Sequence, residues 1–334
     1  MDENIKVSII CITYNHEKFI KDALEGFLMQ KINFKYEILI HDDASTDNTA
    51  NIIKEYEKKY PNLLKVTYQK ENQYSKGKMP TVYLLGKAKG EYIAFCEGDD
   101  YWIDENKLQR QIDFLEKNKE YYATYHNVLI VDENKKERKK LNNFYISHDV
   151  TLKDLENTNR LCGQTSGIVC RNFWKEFSEE DKKAYIDTKV NGDIKLSLLF
   201  VLKGKVYFFK QIMSCYRLTF NTDSWNSKNA DNSSLDLIAY EKNNDLEKMI
   251  EKILKIKINY SPYPIIKISF YRVIFNFSFI NLKNFLLLVY KLDNKSQILG
   301  KLFLDFVNRI LFKLRLKKKI SYWKNLTKEE CLLD

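Results

Sequence analysis

Two groups of carboxylates stand directly behind short apolar runs. Asp42-Asp43 follows Glu37–Ile40, and Glu97-Gly98-Asp99-Asp100 follows Tyr92–Cys96. If both runs are strands of one open α/β sheet, their carboxyl ends face a single crevice, where such sheets bind ligands. Carboxylates crowded there repel one another, and their pKa values rise unless a cation neutralises them. Oxygen ligands at this spacing suit Mg²⁺ or Mn²⁺, which keeps several waters and completes its shell from substrate phosphates. A cation bridging a diphosphate would stabilise the charge that develops on a leaving nucleoside diphosphate. Taken singly, each cluster also reads as a strand-end turn, where Asp and Gly are common. Both together, in this order, favour a ligand site.

The surrounding pattern supplies the elements that must hold these groups. Val7–Thr13 is a short β-branched run suited to a strand buried on both faces. Phe19, Ile20, Ala23, Leu24, Phe27 and Leu28 then recur at the helical period. After Glu37–Ile40, Ser45, Thr46 and Asp47 are N-cap candidates for a helix through Tyr60, ended by Pro61. A strand at Leu64–Tyr68, a helix at Met79–Ala88, the strand Tyr92–Cys96 and a helix carrying Leu108, Ile112 and Leu115 complete an alternation typical of a parallel sheet covered by helices. Ala123–Val131 reads as a strand and Glu133–Lys140 as a solvated loop. Gly163–Cys170 and Lys205–Leu218 read as strands around a helix at Asp193–Leu202. From about residue 226 glycine almost disappears and long aromatic and aliphatic helical patterns take over. This predicts a catalytic domain over 1–225 and a helical C-terminal extension over 226–334.

Three segments together resemble glycosyltransferase family 2: Val7–Asn15, Asp42-Asp43-Ala44-Ser45-Thr46-Asp47, and Lys89–Trp102 with its Glu97-Gly98-Asp99-Asp100 core. The likeness is close over about the first 110 residues and looser to Arg217. It implies an inverting enzyme with the GT-A fold, of the bacterial kind that builds capsule, lipopolysaccharide and other surface glycans. By position, Tyr14 would stack on a nucleotide base with Thr13 beside it. Asp43, with Asp42, would hydrogen-bond base and ribose. A carboxylate accepting from a uracil N–H makes UDP the favoured donor nucleotide. Glu97 and Asp99 stand at the family's Asp-x-Asp motif, with Asp100 adjacent. Asp99 and Asp100 are the expected metal residues, and Glu97, in place of the commoner Asp, is expected at the ribose or a metal-bound water. Asn191-Gly192-Asp193 resembles the base position, so Asp193 would take the acceptor hydroxyl's proton; it also reads as a helix cap. Gly163-Gln164-Thr165-Ser166-Gly167 resembles the acceptor-side strand. Tyr216-Arg217 matches a pair that relatives follow with a metal-proximal His; Thr219 stands there instead, which leaves Arg217 either a diphosphate contact or a structural ion pair. No Gln-x-x-Arg-Trp run is present, which implies single-sugar transfer rather than processive synthesis.

Composition sets the wider limits. The 334 residues are 44% apolar and 30% charged, with 4 Pro and 10 Gly, ordinary for a globular chain. The net charge is +10, but its basic residues concentrate at the far end without a nucleic-acid motif, so nucleic acid is not an expected partner. Six scattered cysteines without paired spacing read as buried thiols of a reducing compartment. His16, His41, His126 and His148 lack metal-ligand spacing; His41 alone is placed to line a nucleotide pocket. No charged and apolar leader opens the sequence, so the cytosol is expected. Residues 262–312 are rich in Phe, Ile, Leu and Tyr but too often interrupted by Lys and Arg to span a bilayer. Lys301–Lys319 reads as a basic amphipathic helix with Leu302, Phe303, Phe306, Ile310 and Leu311 on one side. It suits either the inner face of the plasma membrane, near a lipid-linked acceptor, or packing against the catalytic domain or a second subunit. Two rivals remain at this level. A nucleotidyltransferase would want a glycine-rich basic phosphate loop where Tyr14-Asn15-His16-Glu17 stands, and a non-catalytic scaffold would bind no nucleotide.

Overall fold

The structure, a computed structural model, describes residues 4–141, 146–157, 161–218 and 245–258, together with 266, 269–270, 273–274, 279–292, 295–304 and 306. The chain divides into two compact units, Met1–Ala230 with Asn244–Asn259, and Asp231–Asn243 with Tyr260–Asp334. The boundary expected near residue 226 lies outside the described residues, as do Thr219, Ile310 and Leu311.

The first unit is a ten-stranded mixed sheet with helices on its faces. Its chain order begins β1 (Val7–Thr13), α1 (Ile20–Leu28), β2 (Tyr36–Asp42), α2 (Thr49–Lys59), β3 (Leu64–Tyr68), α3 (Pro80–Lys87) and β4 (Tyr92–Phe95). It continues with β5 (Tyr101–Trp102), α4 (Lys107–Lys117), β6 (Tyr121–Val131), β7 (Glu137–Leu141), β8 (His148–Val150) and α5 (Leu152–Asn157). After these come β9 (Val169–Arg171), α6 (Phe173–Glu176), α7 (Glu179–Asp187), α8 (Gly192–Lys203) and β10 (Lys205–Arg217). The strands lie in the order β3-β2-β1-β4-β9-β6-β10-β5, with β7 beside β6 and β8 beside β10. From β3 to β4 every pairing is parallel. Beyond β4 the sheet turns mixed: β9 runs antiparallel to β4 and β6, while β6 and β10 are parallel.

β1 lies between β2 and β4, so the chain leaves it in one direction and returns on its other side. Such a switch point opens a crevice at the carboxyl ends of the strands. Val7, Ile9 and Cys11 of β1 join Ile38 and Ile40 of β2 in a core completed by Ile20, Leu24 and Phe27 of α1 and Leu108, Ile112 and Leu115 of α4. Burying each such large aliphatic or aromatic side chain contributes about 1.5–3 kcal/mol. That gain fixes the register and so the position of the strand tips. On the opposite face α3 packs against β1 and β2. Cys11, Cys96, Cys162, Cys170 and Cys215 are buried free thiols.

Several local expectations change. The segment expected as a solvated loop over 133–140 contains most of β7, antiparallel to β6; a run of four charged residues, Glu137 to Lys140, reads like a loop when only charge is counted. The strand expected from Gly163 starts later, because Thr165–Gly167 forms a 3₁₀ turn before β9. The N-caps of α2 and α8 are Asn48 and Asn191 rather than residues 45–47 and Asp193.

In the second unit, Ile266, Leu292 and Leu302 form a small core with Phe270, Phe285 and Ile298 packed on it. The helix Phe279–Tyr290 exposes Phe279, Leu286 and Tyr290. Leu302 is buried whereas Phe303 is 65% exposed, so the apolar side expected to carry both is divided. Among the described residues no helix is long and apolar enough to cross a membrane.

Candidate active site

Both acidic loops close on the tip of β1. The Asp43 amide donates to Thr13 O at 2.9 Å, and the Gly98 amide donates to Ile12 O at 2.9 Å. Asp42 ends β2 directly opposite Thr13. Gly98 is required at this junction, since a Cβ there would lie 2.6 Å from Thr13 Oγ1 and 2.8 Å from Thr13 Cβ. The carboxylates foreseen at two strand tips therefore lie on loops that meet at the carboxyl end of β1.

The turn after β1 is stitched to the turn after β2. The Asn15 amide donates to Ser45 Oγ at 2.9 Å and the Thr46 amide to Asn15 Oδ1 at 2.8 Å; the Glu17 amide reaches Asp47 Oδ2 at 3.0 Å. Asn15 takes φ +54°, a left-handed conformation that Asn tolerates better than most residues. This frame presents Tyr14 with 42% of its surface exposed, whereas Thr13 is buried. Asp42 accepts from the Ser45 hydroxyl, and burial raises its pKa despite that bond. Asp43 is buried and served by three donors: His41 Nε2 at 3.2 Å and the Gln73 amide at 2.8 Å on Oδ1, and the Tyr74 amide at 3.0 Å on Oδ2.

The second loop is more crowded with charge. Burial and the Asp99 carboxylate push Glu97 up to about 8, while a side-chain hydrogen bond with Thr165 opposes the rise and the Asp193 charge adds to it. Burial, then Asp99 and Glu97, raise Asp100 well above the carboxylate range. Asp100 Oδ1 accepts from the Arg217 amide at 2.9 Å. Asp99 is the open member: 32% of its side chain is exposed and one oxygen lies 3.8 Å from His16 Nε2. The Asp193 charge reaches Glu97 from the first turn of α8, and burial raises the Asp193 pKa as well.

Arg217 is engaged inside the protein. Its Nε donates to Asp99 O at 2.9 Å, one terminal nitrogen to Glu133 O at 3.3 Å, and the other pairs with Asp22 Oδ2 at 2.9 Å. The guanidinium also lies over the rings of Phe19 and Tyr101. Of the two expectations for Arg217, this is the arrangement of the structural ion pair. Trp102 is buried, donating from Nε1 to Ser166 O at 3.0 Å and packing edge-on against Phe27.

Among the described residues no three or more His, Cys, Asp or Glu side chains gather as a metal cage. A magnesium- or manganese-type site that takes substrate phosphates needs only one or two protein carboxylates. Asp99 offers a partly open one, and the crowding that lifts Glu97 and Asp100 is what a cation would relieve. The residues fit such an ion.

The sequence model of glycosyl transferase family 2 matches residues 8–177, half of the chain and all of this site except α8 and Arg217. The chain belongs to glycosyl transferase family 2. An uncharacterised protein of Mycobacterium tuberculosis is 32% identical over 214 residues, covering 63% of this chain and 58% of that protein. The family member described here thus spans under two thirds of that relative's length. A poly(ribitol-phosphate) beta-glucosyltransferase of Bacillus spizizenii is 36% identical over 115 residues, 34% of this chain and 18% of that one. Residues 1–349 of Staphylococcus aureus TarS, solved with UDP-GlcNAc, align with TM-score 0.56 and 21% identity, over 89% of this chain and 80% of that one. That likeness establishes the GT-A fold expected from the sequence. In this family member, sequence reasoning singled out both acidic loops and set His41 at a nucleotide pocket, but it did not foresee the contacts of His41 with Asp43 and of Thr165 with Glu97, and gave His16 no role. His41 shares strand parity with Asp43, which was a readable signal; His16 and Thr165 reach the site through turns whose path no periodicity records.

Proposed function

We propose that the chain is an inverting glycosyltransferase, moving a sugar from a UDP-sugar to a saccharide or lipid-linked acceptor in surface polysaccharide synthesis. The observation that carries this reading is the closure of both acidic loops on the tip of β1, which would let a nucleotide and its diphosphate meet both. The names of the relatives, a poly(ribitol-phosphate) beta-glucosyltransferase and a structure holding UDP-GlcNAc, support the donor class. Tyr14 offers an exposed ring for stacking on the base beside Thr13. Asp43 keeps acceptor capacity on Oδ2 for the base N–H, Asp42 would assist it at base or ribose, and Glu97 would meet the ribose or a metal-bound water. Asp99, backed by Asp100, would hold Mg²⁺ or Mn²⁺, which supplies charge stabilisation to the departing diphosphate.

Asp193 takes the proton of the acceptor hydroxyl as its oxygen attacks the anomeric carbon from the face opposite the nucleotide. The bond from that carbon to the diphosphate oxygen breaks and UDP leaves with the electron pair, so configuration inverts. A carboxyl whose pKa lies above the ordinary range is a better base for this step than a fully solvated one. The exposed Phe279, Leu286 and Tyr290, interleaved with Lys283 and Lys291, support a peripheral place on the anionic inner face of the plasma membrane.

A donor screen that reads release of nucleoside diphosphate tests the proposal. The wild-type chain should release UDP with Mn²⁺ or Mg²⁺, and Asp99→Ala should lower the rate by about a thousandfold. A wild type that binds no nucleoside diphosphate, with or without Mn²⁺, would leave a non-catalytic scaffold as the better reading.

A further inference from the structure

His41 follows the apolar run Ile38-Leu39-Ile40 in β2. It is 1% exposed. Its Nε2 lies 3.2 Å from Asp43 Oδ1, its ring meets Tyr83 of α3 edge-on at 5.7 Å, and its Nδ1 is buried without a partner among the described residues. An orphaned buried nitrogen is destabilising, and a leucine or valine would fill the same strand position without one. The feature that a hydrocarbon could not supply is the contact with Asp43.

That contact divides the carboxylate's acceptor sites. A carboxylate has about four lone-pair directions. On Oδ1, His41 Nε2 and the Gln73 amide occupy two; on Oδ2, the Tyr74 amide occupies one. One direction on Oδ2 remains. With Oδ1 held from both sides, the carboxylate cannot turn about its Cβ–Cγ bond, and the remaining direction is fixed in space. The exposed ring of Tyr74 stands on the residue whose amide holds Oδ2.

We infer that His41 is a positioning residue, donating from Nε2 to lock Asp43 so that its one remaining acceptor site is aimed at the N–H of a pyrimidine base such as uracil. This rests on the proposed role of Asp43 at the base and adds the group that orients it. Selectivity for uracil over cytosine follows, because cytosine presents no N–H at that ring position and a fixed acceptor facing an acceptor is repelled.

Calorimetric titration of UDP and CDP with Mn²⁺ present tests this on the full chain. Wild type should prefer UDP to CDP. His41→Leu should weaken UDP about tenfold and narrow the UDP/CDP ratio, and His41→Gln, whose amide reaches Oδ1 as Nε2 does, should recover most of both. His41→Asn, too short to reach, should behave as Leu does, and keeps the test open if Leu impairs folding. In the Asp43→Asn background, His41→Leu should add less than twofold, since the two act as a unit. UDP affinity unchanged in both His41→Leu and His41→Asn, or an equal loss in the Asp43→Asn background, would overturn the inference. A wild type that binds neither nucleotide would instead overturn the donor-site reading beneath it.

Discussion

Asp43 receives hydrogen bonds from three groups on two separate segments of its own chain, whereas the Asp193 carboxylate is met by amides at the start of its own helix, that of Ile194 at 2.8 Å. The same contrast runs through the two halves of the first unit. On the β1–β4 side, turns from residues 13–17, 42–49 and 97–100 are tied to one another by backbone amides. On the α8 side, Lys195, two residues after Asp193, fastens the helix by donating to Tyr185 O and Thr188 O. A nucleoside diphosphate has the same shape whatever sugar it carries, so a rigid frame suits that side. A base on a helix end, the role proposed for Asp193, would tolerate change in the loops around it.

The largest effect that would sharpen this contrast is expected at Asp193. Asp193→Ala should lower transfer about a thousandfold while UDP affinity stays within about threefold. Equal losses in both would show that α8 belongs to the donor frame and break the division. The pH profile adds a sign. Because burial raises the Asp193 pKa, the carboxyl is protonated, and transfer lost, as pH falls through a value above the ordinary Asp range of about 4. In Asp193→Ala that acidic limb should vanish from the residual rate.

The second effect is on stability. Arg217 joins β10 to the acidic loop through Asp99 O and to α1 through Asp22, with 1% of its side chain exposed. Removing one partner of a buried pair leaves the other groups desolvated and unpaired, which costs about 3 kcal/mol or more. Arg217→Ala should therefore shift denaturant unfolding by about 3 kcal/mol. Arg217→Lys should recover under half of this, because one ammonium cannot span the Asp99, Glu133 and Asp22 sites together. A loss below about 1 kcal/mol in Arg217→Ala would mean the donor frame does not depend on this clasp.

How far the sequence could be read follows the same division. Val7–Thr13 forms a strand over the residues its pattern marks, because a buried parallel strand is a continuous apolar run, and Leu64–Tyr68, at the end of the sheet, does so through its alternating Leu64, Val66 and Tyr68. The acidic loops were legible because each lies directly behind such a strand. The α8 side was harder. Asp193 matched by position alone, and β5 and β8, with 2 and 3 residues, are too short to show any period. The fate of Arg217 was undecidable from its neighbours in sequence, since Asp22 lies 195 positions away. Long-range ion pairs leave no local trace.

The smallest effect concerns strain in the donor frame. Ala44 follows the acidic pair with φ +64°, the left-handed region where a Cβ crowds the carbonyl at a cost of about 1–2 kcal/mol. The residue before it is pinned by Thr13 O and the residue after it by Asp42, so the turn cannot relax. Ala44→Gly removes the Cβ conflict but adds about 0.5–1 kcal/mol of unfolded-chain entropy. The net expectation is a gain of about 0.5 kcal/mol in denaturant unfolding, with UDP affinity unchanged. If stability rises but UDP affinity falls, then the strained alanine is what keeps Asp43 aimed, and the rigidity of this half is set by steric compression as much as by its hydrogen bonds.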